Sequence, residues 1–264
     1  RLFLFLFILI GQSLKAQEYI DVVKMSSVTS PLNTFDQTNK TTTLQEFTGD
    51  LTLPIQLNEK MAFLTGVSYE QFSASIDVNQ RRINVFGATF KIGLNIQHNQ
   101  EWSGTYMLLP KIASDLKQLS RQDFQLGGAV LLKYARSDHF NYKFGVYTNQ
   151  ERFGTFIVPM FGFYYQSPSE RFEAKVLLPL SADLNYAITN HLKLGVNFKG
   201  QVRSYNINDQ DNHSIYLSRS TNELCAYLGY EIKSGLNFQA GIGHSFARSY
   251  RLYEETVSLG MPLV

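Results

Sequence analysis

The sequence predicts an all-β chain, an antiparallel up-and-down β-barrel of about fourteen strands, with twelve as the alternative count. Three observations carry that expectation. Apolar residues recur with period two rather than 3.6, the alternating runs are long, and turn-forming residues interrupt them at two regular lengths.

Taken from the start, Arg1 precedes an apolar run over residues 2–10, followed by Gly11-Gln12-Ser13-Leu14-Lys15-Ala16. A basic start, a short apolar stretch and a small residue at its end have the form of a secretory signal peptide, with cleavage expected after Ala16 or Gln17. Residues 1–17 are then the signal, and residues 18–264 a single β-barrel domain. Nine apolar residues are too few for a spanning helix, which needs about 20. The single cysteine, Cys225, cannot form an internal disulfide. Charge is nearly balanced, with 24 basic and 22 acidic residues, so nucleic acid is not an expected partner. The 20 Phe and 15 Tyr against one Trp suit a belt at a membrane interface, and would also suit a soluble sandwich core.

The clearest strand covers residues 83–97. Phe86, Ala88, Phe90, Ile92, Leu94 and Ile96 alternate with Val85, Gly87, Thr89, Lys91, Gly93 and Asn95. Residues 140–147, 171–178 and 192–199 repeat the rhythm. Charged side chains spaced by two cannot sit in a dry core without partners. They fit a wet or ion-paired lumen, with the apolar row turned to lipid. Alternation over residues 44–57, 83–97, 101–112, 124–135 and 192–205 is longer than the usual soluble strand of about 5–6 residues and reaches the 9–11 that span a bilayer. A soluble sandwich or a lipocalin-like barrel, with its apolar rows inside, stays as the alternative.

Tight connections are expected at Asn58-Glu59-Lys60, His98-Asn99-Gln100, Ser137-Asp138-His139, Ser167-Pro168-Ser169-Glu170, Thr189-Asn190 and Lys233-Ser234-Gly235. Looser ones are expected at residues 30–42, 75–82, 117–121, 149–154 and 206–213. Short and long connections alternate, as periplasmic turns and extracellular loops do in outer-membrane barrels. Keeping that alternation requires residues 171–188 to fold back near Pro179-Leu180-Ser181-Ala182. The first strand is expected at residues 19–29. The last, residues 256–264, reads as a closing strand, although Val264 is not the aromatic residue that usually ends a barrel-assembly signal.

These features together, with segments such as Leu177-Leu178-Pro179-Leu180-Ser181-Ala182-Asp183-Leu184-Asn185-Tyr186, resemble the uncharacterised outer-membrane β-barrel families of Gram-negative bacteria. The resemblance covers essentially the whole of residues 18–264. It implies localisation in the bacterial outer membrane, with outer-membrane lipid, lipopolysaccharide and the barrel-assembly machinery as partners. It carries no catalytic residues and no cofactor.

An enzyme needs a nucleophile, a base and an orienting group. The candidate is Gly243-His244-Ser245, where a His stands beside a Ser, and adjacent strand residues face opposite sides. No two histidines lie at metal-ligand spacing, so no metal site is expected. The lumen-facing candidates are Lys91, Lys133, Lys143, Arg171, Glu173, Lys175, Lys193, Lys199, Arg203 and Glu223. Glu46, Asp50, Glu70, Asp183 and Glu231 share the inward row, making eight basic and seven acidic positions. Mixed signs fit either a weakly selective channel or a lumen cross-linked by ion pairs. The first functional expectation is a porin-like channel or transporter for small solutes. The alternative is a non-transporting structural or binding barrel with an occluded lumen, and a lipid-modifying enzyme is a distant third.

Overall fold

Period-two alternation sends apolar and polar side chains to opposite faces, and ladder bonds to a neighbouring strand satisfy the backbone. The computed structural model describes residues 21–34, 41–75, 82–208, 214–233 and 235–255. Among them thirteen strands follow one another: β1 (Val23–Thr34), β2 (Thr41–Asn58), β3 (Met61–Ser75), β4 (Arg82–Gln97), β5 (Trp102–Ser114), β6 (Phe124–Ser137), β7 (Phe140–Glu151), β8 (Gly154–Gln166), β9 (Phe172–Leu178), β10 (Ser181–Ala187), β11 (Leu192–Asn208), β12 (Ser214–Lys233) and β13 (Leu236–Glu255). Each is hydrogen-bonded to the next in one continuous sheet. A further parallel bridge between Asn206 and Ser114 joins β11 to β5. That bridge closes β5–β11 into a seven-stranded barrel, and the other six strands continue the sheet beyond its two sides. The expected signal segment and the closing strand at residues 256–264 lie outside the described residues.

The tight connections fall where the turn residues stand, and the expected fold-back at Pro179 forms the short hairpin of β9 and β10, seven residues each. One connection differs. Residues 149–154 read as a loose loop, but β7 runs to Glu151 and only Arg152 and Phe153 separate it from β8. Asn149 and Gln150 stay in the ladder opposite Phe156 and Thr155, because the buried Asn149 amide bonds Glu151 Oε1 at 2.6 Å. Polar sequence marked an inward hydrogen bond rather than a loop.

Outward rows are apolar and exposed. Phe90 and Ile92 are 47% and 45% accessible, whereas Val85, on the opposite face of the same strand, is 0%. The inner face changes character along its length. Toward the turns between β2 and β3 and between β4 and β5 it is polar. Toward the opposite end, called here the loop end, it carries an apolar cluster of Leu44, Phe72, Ala74, Ile83, Val85, Ala113, Tyr205, Ile207 and Leu217. Within β11 the alternation of burial stops: Ser204, Tyr205, Asn206 and Ile207 are all buried. A strand buried on both faces has structure on each side, and here β11 stands between the seven-stranded barrel and the apolar cluster. The β11–β12 hairpin therefore leans inward and fills the loop end. Between β13 and β1 no ladder forms among the described residues, and Arg248 links them by hydrogen bonds to Ser30 and Asn33.

Gly66 tests the register of β2 on β3. Its φ is +154°, and a Cβ there would overlap the Leu51 carbonyl oxygen, while Gly49 on the facing strand has nothing within 4 Å of its Cβ position. Gly66→Ala should destabilise the fold by about 1–3 kcal/mol in a denaturant titration, and Gly49→Ala by less than about 0.5 kcal/mol. Equal losses would show that this register is wrong.

Candidate functional site

The polar inner face surrounds a cavity of about 2750 Å³. On one wall Asp50 of β2 accepts hydrogen bonds from Lys91 Nζ at 2.6 and 2.7 Å and from Ser68 Oγ at 2.6 Å, and Lys91 also reaches Thr52 at 2.7 Å. These residues meet because β2, β3 and β4 are neighbours and each contributes its inward row. On the far wall, Glu173 of β9 receives Asn185 Nδ2 at 3.2 Å and Tyr164 Oη at 3.3 Å, with Lys175 Nζ 3.2 Å away. Asp183 accepts from Tyr227 Oη at 2.8 Å and Asn185 at 3.0 Å.

Above this level two carboxylates act as hubs across the lumen. Glu46 of β2 pairs with Arg219 of β12 and lies 3.7 Å from Lys199 of β11. Arg219, 1% exposed, also stands 3.8 Å from Glu223, and its guanidinium lies over the Phe72 ring at 4.8 Å. Glu70 of β3 faces Lys111 of β5 at 3.5 Å and Arg203 of β11 at 3.7 Å, and accepts from Gln201 at 3.0 Å. The charges come from strands far apart in sequence, and the inward lean of β11 brings them together.

Higher still, side chains replace the ladder that β11 leaves. Glu151 Oε2 accepts from Ser204 N and Oγ, both at 2.6 Å, and Gln125 Nε2 donates to the Ser204 carbonyl at 3.0 Å. Asn206 Nδ2 donates to Asp123 at 2.8 Å, and the Asn206 carbonyl accepts from Asp115 N at 3.0 Å. Asp123 is positioned by a single 3-10 turn, Arg121–Asp123, whose Ser120 cap donates its N–H to Asp123 Oδ2 at 2.6 Å and whose hydroxyl accepts from Gln122 N at 3.3 Å.

Of the sequence-predicted lumen residues, Lys91, Lys143, Glu173, Lys175, Lys193, Lys199, Arg203 and Glu223 line the cavity. Lys133 shares their face, opposite Ser103 and Lys143 in the ladders, but is not part of the cavity lining. Arg171 precedes β9, which begins at Phe172, and is exposed. Lys111, Glu151, Arg219 and Asp123 were missed. Lys111 hides in the apolar run Met107-Leu108-Leu109-Pro110-Lys111-Ile112, which has no clear alternation. Arg219 shares the parity of Thr221, Glu223 and Cys225, so extending the inward row of β12 backward would have found it. His244 is exposed and sits opposite Leu224, while Ser245 lies opposite Glu223 and is half-buried. Among the described residues no three His, Cys, Asp or Glu side chains are grouped to hold a metal.

An all-β protein with a closed seven-stranded barrel and six further strands, its inner face polar and ion-paired toward one end and apolar toward the other, is the class that this fold and site define. The chain belongs to the family described as a domain of unknown function (DUF6268), whose model matches residues 12–259. Among curated proteins and solved structures, none matches the chain.

The Glu46 hub is testable. Glu46→Gln leaves the buried Arg219 with only the more distant Glu223, at 3.8 Å, as a charge partner, and the loss should approach the roughly 3–5 kcal/mol of an unpaired buried charge. Adding Arg219→Met should recover part of that loss in a denaturant titration, whereas Lys199→Gln alone should cost less than about 1 kcal/mol, since Lys199 is half exposed. A double variant less stable than Glu46→Gln would show that the pair is not the coupled unit.

Proposed function

We propose that this protein is an outer-membrane β-barrel that turns its outward rows to lipid and holds a closed lumen, making it a binding or structural barrel rather than a constitutive pore. The observation that carries this reading is the burial of both faces of β11 from Ser204 to Ile207. A wall strand has one face in the lumen and one outside, so this segment occupies the lumen itself. Packed against Phe72, Val85 and Leu217 and bonded to Glu151 and Asp123, it narrows the interior at the loop end among the described residues.

Three features support the membrane part of the reading. Eleven of the thirteen strands have 12 or more residues, above the 9–11 needed to cross a bilayer at a tilt. Large apolar side chains are exposed on strand after strand, among them Phe90, Leu108, Val130, Phe144, Phe161, Leu194 and Leu228. Aromatic contacts run around the turn end from Trp102–Tyr134 through Phe140–Tyr142 and Phe140–Phe163 to Tyr165–Phe172, then reappear at His191–Tyr230. Such a ring matches the girdle that anchors barrels at the headgroup level. The porin-like reading requires β11 and β12 to withdraw from the lumen. Lipid, lipopolysaccharide and the assembly machinery remain the proposed partners, and no specific observation favours an enzyme.

Fractionation should place the protein in the outer membrane, resistant to salt wash, and a soluble periplasmic pool would sink the localisation. Arg at Phe90 or Ile92 should cost about 2–4 kcal/mol of folding into lipid near the midplane, with Thr89→Arg better tolerated; equal costs would mean the faces are reversed. For the lumen, the wild type in a planar bilayer should be silent. A variant with residues 204–217 replaced by a short Gly-Ser turn should give steady ohmic steps. A conducting wild type would overturn the closed reading.

A further inference from the structure

The inward lean that seals the loop end also opens the wall at one place. β9 and β10 are short, and the ladder between β8 and β9 begins only at Phe161 opposite Leu178. On the other side the ladder between β10 and β11 ends at Ser181 opposite Lys199. Above that level no strand lies between β8 and β11, and among the described residues no ladder joins them. The gap has a complete frame. Its floor is the β9–β10 turn, where Leu180 O accepts from Gly200 N at 2.9 Å. Its roof is the β7–β8 turn, where Arg152 N donates to Ser204 Oγ at 2.7 Å. From Gly200 at the floor to Ser204 at the roof is four residue steps along β11, about 13 Å at 3.3 Å per residue.

The gap opens into the cavity. Consecutive residues from Phe198 to Arg203, which point alternately inward and outward, all line the same space, together with Phe156 of β8. The cavity lining therefore includes both faces of β11 over this stretch and reaches the frame of the gap.

The chemistry along this path is ordered. Outside, Ile157 and Phe161 of β8 and Leu178 of β9 are strongly exposed. Phe156, Leu180 and Val202 form an apolar throat. Just inside stands Lys199, whose side chain is 47% exposed. Its carboxylate neighbour, Glu46, is already held by the closer Arg219, so the Lys199 ammonium has capacity for a second anion.

We infer that this lateral gap is a binding site for a single-chain amphiphile with an anionic head, carboxylate or phosphate, which enters sideways with its chain in the throat and its head on Lys199. The inference deepens the binding-barrel reading and rests on it for the source of the ligand, the surrounding lipid.

The test reads binding on purified, refolded protein in micelles. A Trp102→Phe/Phe156→Trp variant carries one tryptophan in the throat, and the wild type carries its tryptophan at the turn end. The probes are dodecanoate, dodecyl phosphate and dodecyltrimethylammonium, each brominated at the chain end. The expected result is saturable quenching of the throat tryptophan by an anionic probe, with half-saturation raised about tenfold by Lys199→Gln, the loss of one charge-assisted contact. The carboxylate and phosphate arms show which head is preferred. Quenching that is unsaturable and equal at both tryptophans, equal potency of the cationic probe, or no effect of Lys199→Gln would each overturn the site. Should Phe156→Trp not refold, Val202→Trp with Trp102→Phe reads the same throat. Saturable quenching in a protein that fractionates as soluble would retain the site and remove the membrane reading.

Discussion

A charge enclosed by a sheet must find an opposite charge, and Glu46 and Glu70 meet that requirement with cations from distant strands. Glu46 draws on β11 and β12, and Glu70 on β5 and β11. Their enclosure makes each contact stronger than a surface pair and makes each missing partner more costly. β11 is the one strand that contributes to both hubs. These pairs hold β11 against the strands on both of its sides, where it bridges to β5 and closes the seven-stranded barrel. With a lone cysteine and no possible internal disulfide, these polar contacts and the ladders are what tie opposite walls together.

The short β9–β10 hairpin makes that position possible. Because β10 ends level with Lys199, the rest of β11 has no wall neighbour on that side. Its backbone groups still need partners. Glu151, Gln125 and the Asp115 amide provide them at Ser204 and Asn206, while β12 keeps an unbroken ladder on the other edge as far as Asn208. The apolar faces of Tyr205, Ile207 and Leu217 then have a place to bury, among Phe72, Ile83 and Val85. One shortened hairpin thus has three linked effects: β11 is released, the loop end is packed, and the wall above the turn is left open.

The interior is consequently two environments in sequence along one axis. Toward the turns, Asp50 with Lys91 and Glu173 with Lys175 keep a hydrated, mixed-sign surface around the cavity. Toward the loops, apolar packing and a buried hydrogen-bond network take over. The two hubs lie at the boundary, where carboxylates touch both the cavity and the packed region, as the contact of Arg219 with the Phe72 ring on one side and Glu223 on the other illustrates.

Much of this was legible in the amino-acid sequence, because a strand's period of two is a local property. The alternation around Phe90 and Lys91 identified both faces of β4, and the turn residues at Pro179 placed a fold-back inside a stretch that otherwise read as one strand. Eight of the ten expected lumen residues line the cavity for the same reason. Lys111 escaped because its neighbours do not alternate, Arg219 because the inward row of β12 was not extended back past Glu223, and Arg171 was assigned to a strand that starts one residue later. What the sequence by itself determined was the all-β class, the succession of strands and which residues share a face, since each depends on residues one or two apart. Tertiary structure alone decided that β11 bridges to β5, that Glu46 and Glu70 each meet two cations, and that an apolar cluster gathers at one end of the inner face. Those outcomes depend on contacts between strands up to 173 residues apart, and no local pattern encodes which inward charge will meet which.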